Sequence, residues 1–461
     1  MVKSKKLIDN QEVLINAIRQ SYHKSLVGCK PKIINIALSG GCDSMVLLHA
    51  LNELRDELNF TIKAIHIHHD ISPNADKWQS FCGSECEKFN AIFSVKKINI
   101  QTERHLGVEG AARKLRYEAL NELRDGMLAT AHHQNDQAET LFLQLIRGSG
   151  LKGLASMPHY DERRDIWKPL LNVNRETIVG YAKLNHISFV DDESNLDTRF
   201  DRNFLRQEIF PLLSDRFPHL VKTLARSVEN IAEGLNLTEA VAKEDAKSFF
   251  SEDLSRLSMS IVKELPKDRI INLIRWWLDK NYLKMPSKKT TDELYEQIIK
   301  IKKDNSLSIK ISEKITVREF QGDLWLVEVD SIFEPYEIIW RGEDKILLPD
   351  QSQLLFHRVK GAGFSLTKLG VNVLRIQSRQ GGERFKPNLN QPSRTLKYLL
   401  QKSKIPPWQR NQIPLIFSED QLVAVPNFGI HYEFQAEPDI IGIFVEWKLN
   451  KLYYDELNLK V

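Results

Sequence analysis

Six residues, Ser39-Gly40-Gly41-Cys42-Asp43-Ser44, separate an apolar run of strand character, Ile33 to Leu38, from an apolar run of helical character, Met45 to Leu54. A strand that passes into a helix through two glycines can turn sharply and bring its backbone close to a ligand. The first helical amides point unpaired N–H groups and the positive dipole end at the same place, so the loop is built for an anion such as phosphate. Ser39 and Ser44 add hydroxyl donors. The GxxxxGK[ST] spacing and its lysine are both absent, which argues against an ordinary P-loop. Asp43 stands where that loop has no carboxylate. An acid beside bound phosphates repels them unless a cation lies between, so Asp43 is read as a Mg²⁺ ligand.

Apolar runs continue in alternation over the first part of the chain: strands at Ile33–Leu38, Phe60–His68, Ile92–Ile98 and Met127–Ala131, with helices at Met45–Leu58, Ala75–Asn90 and Val108–Asp125. This order predicts an α/β fold with a doubly wound, mostly parallel sheet. Ligands of such sheets bind beyond the strand C-termini, where the SGGCDS loop, His66 to Asp70 and Ala129 to His133 all fall. From Phe200 to about Asn305 the pattern is helical. Leu307 to Glu328 alternates like strands around the turn Gln321-Gly322-Asp323, and from Ser331 short strands are broken by Gly and Pro. The expected division is 1–215 for a catalytic domain, 216–330 for a mainly helical domain and 331–461 for a small α+β C-terminal domain with its core at about 371–445.

The chain has 461 residues, enough for several cores, and its net charge of +4 says little. The distribution says more: Arg375 to Arg410 holds nine Lys and Arg against the single acid Glu383. Such a run next to two Gly-rich turns is read as a phosphate-backbone contact, carried by Arg379, Arg384, Lys386, Arg394, Lys397, Lys402, Lys404 and Arg410. Phe385, Trp408 and Tyr398 are read as packing residues. The four cysteines, Cys29, Cys42, Cys82 and Cys86, form no CxxC pair, and no apolar run is long enough to span a membrane. A cytoplasmic, reduced protein with no membrane partner is the expectation, with Cys82 and Cys86 on one helix face.

Two further clusters carry chemistry. Arg113 and Arg116 are three apart on a predicted helix and suit phosphate bidentately, although a solvated cationic face has the same pattern. His132 and His133 directly precede Asp136 and Glu139 at the end of a strand and the start of a helix. The D-x-x-E spacing also fits a capping box, which leaves the paired histidines unexplained. Arg202, Asn203 and Arg206 open a later helix and are expected to face a nucleic-acid phosphate or the cleft.

The SGGxDS loop resembles that of the PP-loop ATP pyrophosphatases. Taken with HIHHDISPNADKW (His66–Trp78), EGAARKLRY (Glu109–Tyr117), ATAHHQNDQAET (Ala129–Thr140), Lys168-Pro169-Leu170, DDESN with RFDRNFLR (Asp191–Arg206), SRQGGERFKP (Ser378–Pro387) and LKYLLQKSKIPPWQRNQIPLI (Leu396–Ile416), the chain resembles the tRNA(Ile)-lysidine synthetase family. One departure is His68-His69-Asp70, where that family more often has Asn-His-Gly. The resemblance implies ATP and Mg²⁺ as cofactors, and L-lysine and the CAU-anticodon tRNA(Ile) as partners. It is compatible with a homodimer. The implied reaction attacks the α-phosphate of ATP with the C2 oxygen of the wobble cytidine, then displaces AMP with the lysine ε-amine. In it Ser39 to Ser44 would hold pyrophosphate, and Arg113 and Arg116 the developing phosphorane charge. Asp136 and Glu139 would hold the lysine α-amino group, and His132 or His133 would accept its ε-proton or bind phosphate. A PP-loop tRNA thiolase, a small-molecule adenylating ligase or amidotransferase of the same superfamily, and a non-enzymatic tRNA-binding protein are the rival readings.

Overall fold

The computed structural model describes residues 2–26, 28, 30–69, 73–99, 107–191, 193–247, 254, 256–300, 307–328, 335–370 and 373–448. Cys29 and Asp70 lie outside them. The chain forms two compact units, one reaching to Thr238 and the other starting at Glu239.

The first unit runs α1 (Val2–Ser25), β1 (Ile33–Ala37), α2 (Cys42–Leu58), β2 (Thr61–His68), α3 (Ala75–Lys88), β3 (Ile92–Lys97), α4 (Gly107–Leu123), β4 (Met127–Ala129), α5 (Gln134–Ile146), α6 (Leu151–Leu154), β5 (Tyr160–Asp161), β6 (Ile166–Trp167), α7 (Arg175–Leu184), α8 (Asp201–Phe204) and α9 (Phe210–Arg216); the division between units falls within α10 (Leu220–Ala246). The sheet order is β3-β2-β1-β4-β6-β5, and β5 alone in it is antiparallel to its neighbour. Successive strand residues point to opposite faces, and both faces are covered. Ile34, Ile36, Met127, Ala129 and Trp167 enter the core closed by α1, α2, α3 and α7. Ile65, Ile67, Leu128 and Ile166 enter a second core with Ala119 and Leu120 of α4. Because β2 lies on one side of β1 and β4 on the other, the chain reverses direction of winding between β1 and β4. The crevice of such a sheet opens there.

The second unit holds two cores. β7 (Arg256–Ser258), α11 (Met259–Val262), α12 (Lys267–Lys280), α13 (Lys288–Lys300), β8 (Ser308–Lys310), β9 (Ile315–Phe320) and β10 (Asp323–Glu328) form an antiparallel sheet in the order β7-β10-β9-β8 with its helices. Leu273, Trp277 and Leu294 pack with Val317 and Leu324 in its core. The helices expected here are thus joined by a sheet; three of its strands are legible in the alternation at Leu307 to Glu328, while β7 is too short to show a period. The second core belongs to β11 (Glu337–Trp340), β12 (Lys345–Leu347), β13 (Gln353–Lys360), α14 (Leu366–Leu369), β14 (Leu374–Gln377), β15 (Arg384–Phe385), β16 (Arg394–Thr395), α15 (Leu396–Lys402), α16 (Pro407–Arg410), β17 (Leu415–Ser418), β18 (Gln421–Val425), β19 (Gly429–Ile430) and β20 (Ile441–Lys448). Its main sheets run β11-β14-β17-β18-β19 and β12-β13-β20. No helix among the described residues is long and apolar enough to cross a membrane.

Candidate active site

The helix after the loop begins earlier than its apolar run, at Cys42, because the polar Cys42-Asp43-Ser44 turn belongs to it. Gly41 is its N-cap in extended conformation and places no side chain over the first amides, which are left to face an anion. The loop is braced from within. Ser39 Oγ accepts from the Gly41 amide at 3.3 Å and lies 3.1 Å from Ser44 Oγ, which donates to the Gly41 carbonyl at 3.0 Å. Gly40 has φ +88°, and its carbonyl oxygen accepts from the Val190 amide at 3.0 Å, so residues near 190 strap the loop down. From β2, His66 Nδ1 lies 2.9 Å from the Leu38 carbonyl and must be its donor. Cys42, Cys82 and Cys86 are free thiols. Burial pushes Cys42 up to about 11 and Cys82 and Cys86 to about 12, so none is a thiolate at neutral pH.

Across the switch point, α5 starts at Gln134 with His133 as N-cap, and the Asp136 carboxylate accepts from the His133 amide at 2.9 Å. Asp136 therefore caps the helix from its third position, and Glu139 is left for other work. Both acids are buried and need counter-charges. Arg202 supplies Nε to Glu139 at 2.8 Å and Nη2 to Asp136 at 3.0 Å; Arg206 supplies Nε and Nη2 to Glu139 at 2.8 and 3.0 Å and reaches Asp136 at 3.3 Å. His133 stands between Asp43, at 3.6 Å from Nε2, and Asp136, at 3.5 Å from Nδ1. Two carboxylates beside its ring favour a positive charge on His133. Burial works against that charge, yet Asp136 and Asp43 outweigh it and raise His133 above the ordinary histidine value. Burial likewise opposes the Asp136 anion, and His133 with Arg202 overcomes it, holding Asp136 down to about 2.

Arg202 and Arg206 thus face the cleft, one of the two placements expected of them, where they pair with Asp136 and Glu139, and Asn203 donates to the Asp197 carbonyl at 3.0 Å. His132 differs from its neighbour: its Nδ1 lies 2.8 Å from Thr130 Oγ1, and burial pushes it down to about 3, so it is a neutral imidazole. Arg113 is exposed on α4 with its guanidinium 5.4 Å from the Tyr117 ring centroid, and its charge is felt at His132 and Lys168. Arg116 is exposed on the same helix. Lys168, part of a sequence motif but given no role by the sequence, closes the floor beside β4; a lysine directly after two buried apolar residues was the available signal.

Within the basic segment the structure separates structural from accessible charge. Arg379 is nearly buried with Glu383 at 3.3 Å, and Arg410 Nε donates to the Ile405 carbonyl at 2.7 Å. Their guanidiniums serve the local fold. Arg384, Arg394, Lys397, Lys402 and Lys404 are exposed, and Lys386 lies over the Tyr432 ring. Arg384 and Arg394 sit on the paired strands β15 and β16, immediately before α15 with Lys397 and Lys402. Phe385 is core, Trp408 packs against Phe320 and Trp325, and Tyr398 is half exposed rather than packed, with Arg394 over its ring.

Among the described residues no group of three His, Cys, Asp or Glu could hold a metal by itself. Mg²⁺ does not need one, since it keeps waters and shares one or two carboxylates with substrate phosphates. Asp43 fits that use: its Oδ1 is buried with no hydrogen-bond partner among the described residues. A doubly wound sheet with an SGGxDS loop at its switch point defines a PP-loop ATP-using enzyme, and residues 12–213 match the family model described as PP-loop domain. Residues 257–325 match the TilS substrate binding domain and 374–447 the TilS substrate C-terminal domain. The tRNA(Ile)-lysidine synthase of Nitrosomonas europaea is 37% identical over 421 residues, 90% of this chain and 91% of that protein. That of Coxiella burnetii is 33% identical over 419 residues, 89% of this chain and 92% of that protein. The chain belongs to the tRNA(Ile)-lysidine synthase family.

Two outcomes follow from the geometry. A Cβ at Gly40 would lie 2.9 Å from Val190 Cγ2 and 3.1 Å from Cys82 Sγ on a backbone that disfavours side chains. Gly40→Ala should cost about 1–3 kcal/mol in denaturant melts and raise the KM for ATP at least tenfold; unchanged values would show that the strap does not shape the loop. Asp136 has a folded value of about 2 against an ordinary 3.8, so its stabilisation is complete above about pH 4 and is lost as pH falls through 2. The difference is on the order of 2 kcal/mol. Melts of Asp136→Asn between pH 4 and 2 should be flatter than wild type; parallel curves would contradict the assignment.

Proposed function

We propose that this enzyme ligates L-lysine to C2 of the wobble cytidine of the CAU-anticodon tRNA(Ile), consuming ATP and releasing AMP and pyrophosphate. The observation that carries the reading is the meeting, at one switch point, of an uncapped phosphate loop on β1 and a His–carboxylate–arginine cluster after β4. Ser39 to Ser44 bind the phosphates through amides and hydroxyls, with Asp43 as the protein ligand of Mg²⁺, which when bound screens the leaving pyrophosphate. The cytidine C2 oxygen attacks the α-phosphorus, the bond to the bridging oxygen breaks, and pyrophosphate leaves with the electron pair. Arg113 is placed to meet the charge that develops. His133, 3.6 Å from Asp43 and raised by the acids around it, is placed to donate on the phosphate side.

In the second step the lysine ε-amine attacks C2 and AMP departs with the former C2 oxygen. The paired state of Asp136 and Glu139 changes how lysine is held: Arg202 and Arg206 remain 27% and 30% exposed, and their remaining donors suit the lysine α-carboxylate. His132, neutral and weakly basic, is a hydrogen-bonding group rather than the base for the ε-ammonium. The exposed cations Arg384, Arg394, Lys397, Lys402 and Lys404 grip tRNA phosphates. Protonated cysteines, Cys82 and Cys86 buried and Cys42 half-buried, disfavour the tRNA thiolase reading for the described thiols.

Protein incubated with ATP, Mg²⁺, labelled lysine and total bacterial tRNA should place label in a modified cytidine of nuclease-digested tRNA(Ile). Asp43→Ala should lower the rate at least a hundredfold. Reversing charge at Arg384, Lys397 and Lys402 should weaken tRNA binding and flatten its salt dependence by roughly one unit of slope for each phosphate no longer neutralised. No lysine incorporation by the wild-type enzyme would overturn the reading.

A further inference from the structure

Lys168 follows the two-residue strand β6 and is only 6% exposed. Lysine is almost never buried to that extent unless a carboxylate pairs with it. Here the amine donates to the Pro158 carbonyl at 3.3 Å and, among the described residues, forms no ion pair. The backbone around it is fixed: the Lys168 amide donates to the His159 carbonyl at 2.8 Å, and the Thr130 amide donates to the Trp167 carbonyl at 3.0 Å. Lys168 is thus locked beside the C-terminal end of β4, where the candidate cleft opens. His132, two residues after Thr130, feels the charges of Lys168, Arg113 and Arg202 together. A fixed, buried ammonium with no ion pair among the described residues, within the field of Arg113, is an arrangement that an incoming anion stabilises.

We propose that Lys168 is a catalytic residue of this cleft, receiving, together with Arg113, the non-bridging oxygens of the α-phosphoryl group as cytidine is adenylated. The inference rests on the lysidine-forming reading of the site. A phosphoryl group offers one non-bridging oxygen to each of the two cations, whereas the lysine carboxylate already has Arg202 and Arg206. No proton is transferred: as the O–P bond forms and the bond to pyrophosphate breaks, negative charge gathers on those oxygens and the N–H donors of Lys168 and Arg113 stabilise it. The surroundings of the amine agree. Burial, with Arg164 and Arg113, and against the opposing pull of Asp161 on β5, holds it down to about 8. His132 and His159, the other titratable groups that sense it, are both kept low by burial.

The test uses full-length Lys168→Met and Lys168→Arg in two assays: pyrophosphate release that depends on tRNA(Ile) in the absence of lysine, and lysine transfer. Lys168→Met should lower the adenylation rate at least a hundredfold, leave the KM for lysine within twofold, and melt no lower than wild type because a buried charge has been removed. Lys168→Arg should restore most of the rate. In wild type, kcat/KM for adenylation should fall as pH rises through about 8, where the amine loses its charge, and the Lys168→Arg profile should stay flat there. Retained adenylation with a raised KM for lysine would assign the amine to the carboxylate and overturn the proposal. A fall in melting temperature that tracks the lost rate, unrescued by arginine, would make Lys168 structural and overturn it as well. Failure of wild type to incorporate lysine while still releasing pyrophosphate would count against the lysidine reading and not against Lys168.

Discussion

Two buried carboxylates on α5 govern how this unit closes. Asp136 and Glu139 cannot be taken out of water as anions without partners, and the partners come from a segment more than sixty residues away, through Arg202 and Arg206. Leu205 and Phe210 pack against Ala138 of α5 and hold that segment in place, and the π-helical turn at Leu205–Ile209 carries Arg206 toward Glu139. Wide helical turns of this kind recur at functional sites because they re-aim a side chain. The ion cluster therefore does two jobs at once: it fastens the end of the catalytic unit to the sheet, and it sets a wall of fixed charge at the switch point.

That wall explains why adjacent histidines behave oppositely. His133 lies between Asp43 and Asp136, which raise it, whereas His132, one residue earlier, is half-buried within the field of Arg202, Lys168 and Arg113 and stays neutral. Asp43 of the loop is thus faced by His133, and its Oδ1 is buried with no hydrogen-bond partner among the described residues. Such preorganised charge suits a step in which pyrophosphate leaves and a phosphorane develops, because little reorganisation is required when the charge appears.

The sheet was legible in the sequence because its strands are apolar runs with glycine-rich or polar ends, and the loop because no other local pattern combines Gly40, Gly41 and Asp43 between a strand and a helix. β5, β6 and β7 were not legible, since two or three residues cannot display a period. For Arg202 and Arg206 the choice between a phosphate backbone and the cleft stayed open for a different reason: the i, i+4 spacing places both on one helix face, but what that face meets depends on acids distant in sequence. The same holds for Arg379 and Arg410, which read as members of a uniform basic run until tertiary packing draws their guanidiniums inward. Local pattern identifies which residues can act together; the fold decides which of them are already satisfied.

The central claim is that the cytidine C2 oxygen, rather than water or the amino acid, attacks ATP in this cleft. It is tested most directly with tRNA(Ile) carrying ¹⁸O at C2 of the wobble cytidine, allowed one turnover with ATP and lysine, followed by mass analysis of the AMP and of the modified base. The account predicts that the heavy oxygen leaves in AMP and that the base retains none. AMP free of the label, with lysine incorporated into the tRNA, would contradict it.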